Sequence, residues 1–524
     1  MSSRQRRPRH LNLILGDQLD RNSKLFEGFD ADRDAVWMAE VESEVRGAHQ
    51  HRSVFFLSAM RHFAAELEAQ GFEVRYHRLS DDPKADRGRS FEEVFVRELE
   101  ERRPERVRVV LPGDDRVLNE LERVAEGADV PFDVISDAHF YVDPEDFRAW
   151  ASDRKTIVLE HFYRKLRKDM GILMDGGEPV GGAWNFDQDN RKTFGRGGPP
   201  EDLKPLPRFE PDDVTREVID LVKSRFSKDP GDASTFALPV TVEDARRQLA
   251  SFIEHALPRF GDFQDAMAEG DAVLFHSRLS ALMNVKLLNP RECVDAAIDA
   301  LERDRAPINA VEGFVRQILG WRELVRGIYW MNMPEYAELN ALECDDRPVP
   351  SFFWDGETDM ACIADSMKQL LELGYVHHIH RLMVFGLFAQ LYGAHPYEFH
   401  RWHMQLYVDA VDWVSLPNTL GMSQFGDGGI VGTKPYVATG KYIDRMGPYC
   451  RQCRYDPKKA EGDDACPFTT LYWDFLARHR DRFRNNRRMT MQLKNLDRKE
   501  EEELVRIRRR AQGLKAAVSR GDRI

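Results

Sequence analysis

From residue 11 to 135 the chain alternates short apolar runs with amphipathic stretches. Residues 11–15, 35–38, 54–57, 73–76, 107–111 and 132–135 read as strands, and 59–70 and 91–101 as helices with one apolar face. Such alternation predicts βα units around a mainly parallel sheet. Ligands of these sheets sit at the carboxyl ends of strands, here Gly16-Asp17-Gln18, residues 40–44 and Pro112-Gly113-Asp114. No G-x-G-x-x-G is present, so the usual dinucleotide fingerprint is missing.

The pattern then changes. Residues 136–240 are irregular, with one basic helical segment (159–174) and a loop rich in Gly, Pro and charge (176–211). Beyond them 3.6-residue periodicity dominates, over 242–255, 293–303, 310–329, 365–373, 377–391 and 396–411. The predicted organisation is a Rossmann-like α/β domain (1–135), an interdomain connector with a long loop (136–240), a large all-α domain (241–480) and a basic tail (481–524).

Composition narrows the function. The 524 residues are 42% hydrophobic and 10% aromatic, ample for sizeable cores. A net charge of -13 argues against a chain coated in positive charge, while leaving room for a local basic groove. No apolar run is long enough to span a bilayer, and the apolar stretch after the basic start is too short for a signal peptide, so a cytoplasmic protein without membrane contact is expected. No heptad seam stands out, which points to a monomer. Six Cys are too few for a disulfide scaffold, and clustered ones point to metal.

Cys450, Cys453 and Cys466 form C-x2-C-x12-C in a polar stretch. A third Cys followed by Pro is common around iron-sulfur clusters, and Cys362 is the candidate fourth ligand; a zinc site or ordinary buried thiols are the alternatives. His276, Ser277, Arg278, Leu279 and Ser280 lie at a helix start suited to a pyrophosphate, although Ser there is commonly only a cap. The helix around Arg316, Gln317, Trp321, Arg322 and Glu323 reads either as a ligand wall or as a solvated charged face. Three His fall within four positions at 377, 378 and 380; a general acid is the reading of interest, with capping or core packing as the plain one. Asp409 and the run 416–429, with Asn418 and Met422, have the polar, small-residue character of a loop that approaches a flat ligand.

Taken in order, these segments resemble one family, the iron-sulfur bacterial cryptochromes and prokaryotic (6-4) photolyases, also called deoxyribodipyrimidine photolyase-related proteins. The resemblance begins with Leu13-Ile14-Leu15-Gly16-Asp17-Gln18-Leu19, runs through Glu160-His161-Phe162-Tyr163-Arg164 and Trp184-Asn185-Phe186-Asp187, and ends in the flavin-region segments and the four Cys. It implies the cryptochrome/photolyase architecture, with FAD held by the helical domain through His276–Ser280, Gln317, Trp321, Arg322, Asp409, Asn418 and Met422. It further implies a 4Fe-4S cluster on Cys362, Cys450, Cys453 and Cys466, and a 6,7-dimethyl-8-ribityllumazine antenna at Gly16, Asp17 and Glu44. The implied activity is blue-light-driven reversal of (6-4) photoproducts in UV-damaged DNA, a carbon-carbon lyase reaction, with a cryptochrome-type photoreceptor as the alternative. The resemblance assigns the acid to His378 with His377 in support, and electron transfer to Trp402 and Trp354. His403 stands where relatives often carry Tyr, and His380 where Gln is more usual. Candidate phosphate contacts are Arg164, Arg167, Lys168, Arg191, Lys192, Arg484, Arg487 and Arg488.

Overall fold

The structure, a computed structural model, describes residues 7–524, so most of the basic start lies outside the described residues. Five strands, β1 (His10–Leu13), β2 (Ala35–Ala39), β3 (Val74–His77), β4 (Arg106–Val110) and β5 (Phe132–Ile135), form one parallel sheet in the order β3-β2-β1-β4-β5. Leu11 pairs with Ala35 on one side and Val107 on the other. Helices cover both faces, so β2 is buried at every residue and reads as a continuous apolar run. Leu11, Leu13, Trp37, Val107 and Val109 pack with Phe95 and Leu121 on one face. Val36, Met38 and Val110 join Phe55, Met60 and Phe63 on the other, in a core continuous with the helical part.

Five expectations are corrected. Residues 54–57 are not a strand but part of the helix Gln50–Ala69, which is buried on nearly every face and so lacks a polar stripe. The basic helix stops at Met170, where Gly171 takes φ 68° and caps it. The connector contains the helices Pro144–Ala151 and Asp213–Arg225, each opened by an Asp cap (Asp143, Asp212). The run 416–429 is helical over Pro417–Ser423. Residues 481–524 are no free tail: the helix Glu501–Ser519 packs on Pro467–Arg478, Lys515 Nζ reaches Asp474 at 2.6 Å, and Ile524 is buried with its carbonyl bonded by the Thr358 hydroxyl.

The carboxyl part is helical, and its helices widen to i→i+5 turns over Phe252–Ala256, Arg316–Arg322, His380–Gly386 and Pro417–Ser423. Such turns are rare and concentrate at functional sites. The sheet's switch point, between β1 and β4, faces this part directly. Trp413 N–H donates to Gly113 O at 3.0 Å, Asp115 N–H to the Tyr329 hydroxyl at 2.9 Å, and Arg52 Nη2 to Ala410 O at 3.1 Å.

A Cβ on Gly113 would collide with the Asp17 carboxylate and lie 2.7 Å from Val411. Gly113→Ala is therefore expected to lower stability by about 1–3 kcal/mol, as overpacking does, read as a lower urea midpoint at unchanged slope.

Candidate functional site

The helix Ala361–Leu373 ends at Gly374 with φ 61°, the chain turns through Tyr375 and Val376, and the next helix opens at His378 before widening over His380–Gly386. This turn sets the His side chains against the irregular segment before Ser280. His276 stacks on His377 with centroids 4.3 Å apart and planes 8° from parallel. His276 Nε2 lies 3.2 Å from His378 Nδ1, and His378 Nε2 lies 3.4 Å from Asp265 Oδ1. His380 is edge-on to His377 at 4.2 Å, and its Nε2 meets the Tyr449 hydroxyl at 2.9 Å. His276, His377 and His380 are buried, whereas half of the His378 side chain is exposed.

Burial, reinforced by neighbouring rings, pushes His276 and His377 well below the ordinary imidazole value and His380 down to about 3. These three are neutral at physiological pH. Ring nitrogens of His276, His377 and His378 lie within 4.8 Å of one another. The parallel rings of His276 and His377 nevertheless aim their in-plane lone pairs side by side rather than at a common point, so the arrangement suits hydrogen bonding better than a tetrahedral metal.

A second network centres on Asp409. Its carboxylate accepts from Ser280 Oγ at 2.6 Å and from two Arg381 nitrogens at 3.0 Å, and its backbone carbonyl accepts from Asn284 at 2.8 Å. Burial pushes Asp409 upward, but the Arg381 charge and its hydrogen bonds outweigh that and hold it below the usual carboxylate value. Arg381 also donates from Nε to Val376 O at 2.7 Å and lies over the Tyr375 and Tyr407 rings. Arg278, at φ 51°, lies over Tyr375 as well. The Tyr407 hydroxyl and His403 Nδ1 are buried here without partners. Unmet polar atoms beside an ion pair and flat aromatic faces fit a planar, polar cofactor such as the implied flavin.

Cys362, Cys450, Cys453 and Cys466 line one small apolar cavity with Met360, Ile443 and Phe468. Cys362 sits in the first turn of its helix, and Cys466 directly precedes the helix Pro467–Arg478. A Cβ on Gly440 would lie 2.8 Å from Cys466 Sγ, so glycine keeps room beside the thiols. Burial and, for Cys362, the other three thiols push Cys362 well above its ordinary value, and burial brings Cys466 to about 11. Thiolates there need a cation, and four converging Cys fit an iron-sulfur cluster.

At the sheet's switch point Gln18 Nε2 donates to Val110 O at 2.8 Å, while desolvation pushes the Asp17 carboxyl up against the pull of Lys286. Glu44, on the helical turn Glu42–Val45, pairs with Arg116 at 3.0 Å. Arg52 is drawn to Glu44, Asp17 and Asp409, and its Nε is buried without a partner. Gly16 packs on Phe56 and Met60. This cradle, with an unmet donor between carboxylates, fits a small polar heterocycle.

The structure thus gathers Arg278, Ser280 and Asp409, and places His276 against the His pair. Ser277 accepts from Leu279 N–H, and Leu279 is core. Gln317 is exposed and bonds Gly313 O of its own helix; Asn418 likewise bonds Val414 O. Trp321 and Met422 are half-buried against the core. Arg322 is buried over Phe140 and Trp413 and donates to Met283 O at 3.1 Å. Trp402 is buried and donates to Phe353 O at 2.7 Å, and the adjacent Trp354 is 40% exposed. His403 stacks on Tyr407 at 4.2 Å. Arg167 is withdrawn from any phosphate: it is fully buried, holding the carbonyls of Ile172, Leu173 and Trp184. Arg164 pairs with Glu160, Lys192 with Asp262 and Arg484 with Asp481, Arg488 bonds Thr433, and Lys168, Arg191 and Arg487 are exposed. Asp265, Asn284, Tyr375, Arg381 and Arg52 escaped the sequence reading; only Tyr375 and Arg381, flanking the His triplet, carried a positional signal.

Residues 12–238 match the family described as deoxyribodipyrimidine photo-lyase-related protein. The (6-4) photolyase of Agrobacterium fabrum is 46% identical over 482 residues, covering 91% of this chain and 94% of that protein. In fold, the chain is similar to a bacterial class III photolyase from Agrobacterium tumefaciens (TM-score 0.55, 16% identity, 99% of both chains). It is similar also to a cryptochrome of Synechocystis sp. (TM-score 0.52, 12% identity, 88% of this chain and 92% of the other).

Asp409→Asn leaves the Arg381 charge unpaired. The expected loss is about 2–3 kcal/mol, under the roughly 3–5 kcal/mol of a fully buried pair, because the Arg381 side chain keeps 21% exposure. Since the folded carboxyl titrates below its ordinary 3.8, the difference from wild type should be constant from about pH 5 to 8 and shrink as pH falls below 3.8, in denaturant titrations across pH.

Proposed function

The chain belongs to the deoxyribodipyrimidine photolyase-related family, and from that premise we propose that it is a blue-light-dependent DNA lyase that reverses (6-4) photoproducts. The observation that carries the reading is the half-exposed His378, backed by His276 and Asp265, on a turn whose Val376 carbonyl Arg381 ties to the Asp409 network. An acid at the surface of a cofactor pocket is what this lesion requires, since a hydroxyl must return from one base to the other.

Arg278, Ser280, Asp409 and Arg381 would hold FAD, with Ser277, Leu279, Gln317, Trp321, Arg322, Asn418 and Met422 as further proposed contacts. When bound and reduced, FAD would supply the light-driven, reversible one-electron chemistry that the repair needs. His378 gives a proton to the lesion hydroxyl and recovers it at the end, so the sum is an isomerisation with no net redox change. His377 packs behind it, and its buried Nε2 has no partner in the protein. Trp402 and Trp354, bridged by Phe353, would carry electrons between the core and the surface; Phe353 and Trp402 centroids are 5.0 Å apart.

Cys362, Cys450, Cys453 and Cys466 would hold the 4Fe-4S cluster, and Gly16, Asp17 and Glu44 the lumazine antenna. Exposed Lys168, Arg191 and Arg487 would meet the phosphates of damaged DNA while the lesion is flipped out of the stack, as base-flipping enzymes require. Among the described residues no helix is long and apolar enough to cross a membrane. We place the protein in the cytoplasm, as a monomer.

The test is an anaerobic assay of reduced protein on oligonucleotides bearing a (6-4) lesion or a cyclobutane dimer, in blue light and in darkness. Reversal of the (6-4) lesion alone, in light alone, is the expected result; His378→Ala should lose about 100-fold or more of it with flavin absorbance unchanged. Full repair by that variant overturns the acid assignment, and reversal of only the dimer overturns the lesion class. Cys453→Ser is expected to lower the iron content while FAD stays bound.

A further inference from the structure

We infer that His276 is a positioning residue for His378: the Val273 carbonyl fixes the His276 tautomer, and its bare Nε2 then decides which nitrogen of His378 releases the proton. The inference rests on the acid role proposed for His378.

His276 Nδ1 lies 3.0 Å from Val273 O. A carbonyl only accepts, so that nitrogen carries the hydrogen. The ring is buried and stacked face to face on His377, where a second proton would be costly. Its Nε2 is therefore a lone pair, and it points at His378 Nδ1, 3.2 Å away, which must donate. The other nitrogen of His378 faces Asp265 Oδ1 at 3.4 Å, and a carboxylate accepts. A neutral His378 satisfies one of these partners; the imidazolium satisfies both.

The other rings facing His378 cannot take over this role. Ile379 N–H donates to His377 Nδ1 at 3.3 Å, which puts the His377 hydrogen on Nε2. The Tyr449 hydroxyl donates to Ala268 O at 3.1 Å, so His380 Nε2–H donates to the phenol oxygen. Both are buried, neutral and held in one tautomer. The charged group in contact with His378 is thus Asp265, while the Arg381 charge acts on His377.

The consequence is directional. His378 gives up the Nε2 proton, on its exposed side and across the longer contact, and keeps Nδ1–H on His276. It is left as the one neutral tautomer that can recover the same proton.

The test uses the FAD-loaded protein labelled with 15N-histidine, the His378 signals being identified by their loss in His378→Asn. In wild type, His276 should show a protonated Nδ1 and bare Nε2, and His378 a protonated Nδ1. His276→Gln keeps an acceptor and should keep the His378 pattern. His276→Phe keeps the stack and removes the acceptor: the His378 Nδ1–H should no longer be fixed and both His378 tautomers should be populated, and light-driven (6-4) repair should fall by roughly 10-fold or more, part of the 100- to 10,000-fold a positioned acid supplies. FAD absorbance should match wild type in both variants. A protonated Nε2 on His276 in wild type overturns the inference even if His276→Phe does not fold, as does loss of FAD from a folded His276→Phe. Failure of wild type to repair (6-4) lesions, with the NMR pattern as expected, would instead overturn the proposed function and leave the tautomer relay standing.

Discussion

The Arg381–Asp409 ion pair is the contact on which the site is assembled. Four chain segments converge on it: Ser280 and Asn284 from one, Val376 through the Arg381 Nε bond, Asp409 itself, and Arg52 reaching Ala410 O from the α/β part. A buried pair is weak evidence for stability, because desolvation offsets much of the attraction. Its contribution here is register. Guanidinium and carboxylate meet in a planar two-point contact that tolerates little rotation, so the backbone at Val376, and with it the direction of His377 and His378, follows from where Asp409 stands.

That demand explains the widened turns. Arg381 lies in the turn His380–Gly386, where an extra residue per turn rotates the side chains that follow relative to those before. Gly386 permits it: a Cβ there would strike the Ser423 hydroxyl, in the facing wide turn Pro417–Ser423. Two locally unfavourable turns interlock through a missing side chain. Hydrogen bonds from Gln424 Nε2 to Gly386 O and to Ser423 Oγ, both at 3.0 Å, close the contact.

The parallel sheet was legible because β2, buried on both faces, leaves an unbroken apolar run, and the other four strands fall on shorter aliphatic or β-branched stretches set between helical patterns. The same rule misled at 54–57, where a helix buried all round imitates a strand. Cys450, Cys453 and Cys466 stood out because their spacing is local, whereas Cys362 lies far from them in sequence and meets them only in the folded chain, where all four line one cavity. The place of His276 was not legible: its stack on His377 and its contact with His378 join positions about 100 residues apart, and nothing in the 276–280 segment signals them. Asp265 and Arg52 were hidden for the same reason. Arg167 failed in the opposite way, as a basic residue on an amphipathic helix whose charge is consumed by two carbonyls of the turn that follows and by that of Trp184.

The cysteine cavity and the histidine cluster are parts of one support. Tyr449 directly precedes Cys450 and lines the cavity, and its hydroxyl lies between Ala268 O and His380 Nε2. Ala268 in turn stands three residues from Asp265, on the segment that Met267 ties to Met446 O at 2.8 Å. Whatever fixes Cys450 therefore fixes the ring beneath His377 and the backbone that presents Asp265 to His378. A chain whose sheet and helices fold well can still leave these short irregular segments loose, because they bury little apolar surface of their own. In the proposed cluster, four sulfur ligands drawn to one centre would supply the constraint that hydrophobic packing does not provide there.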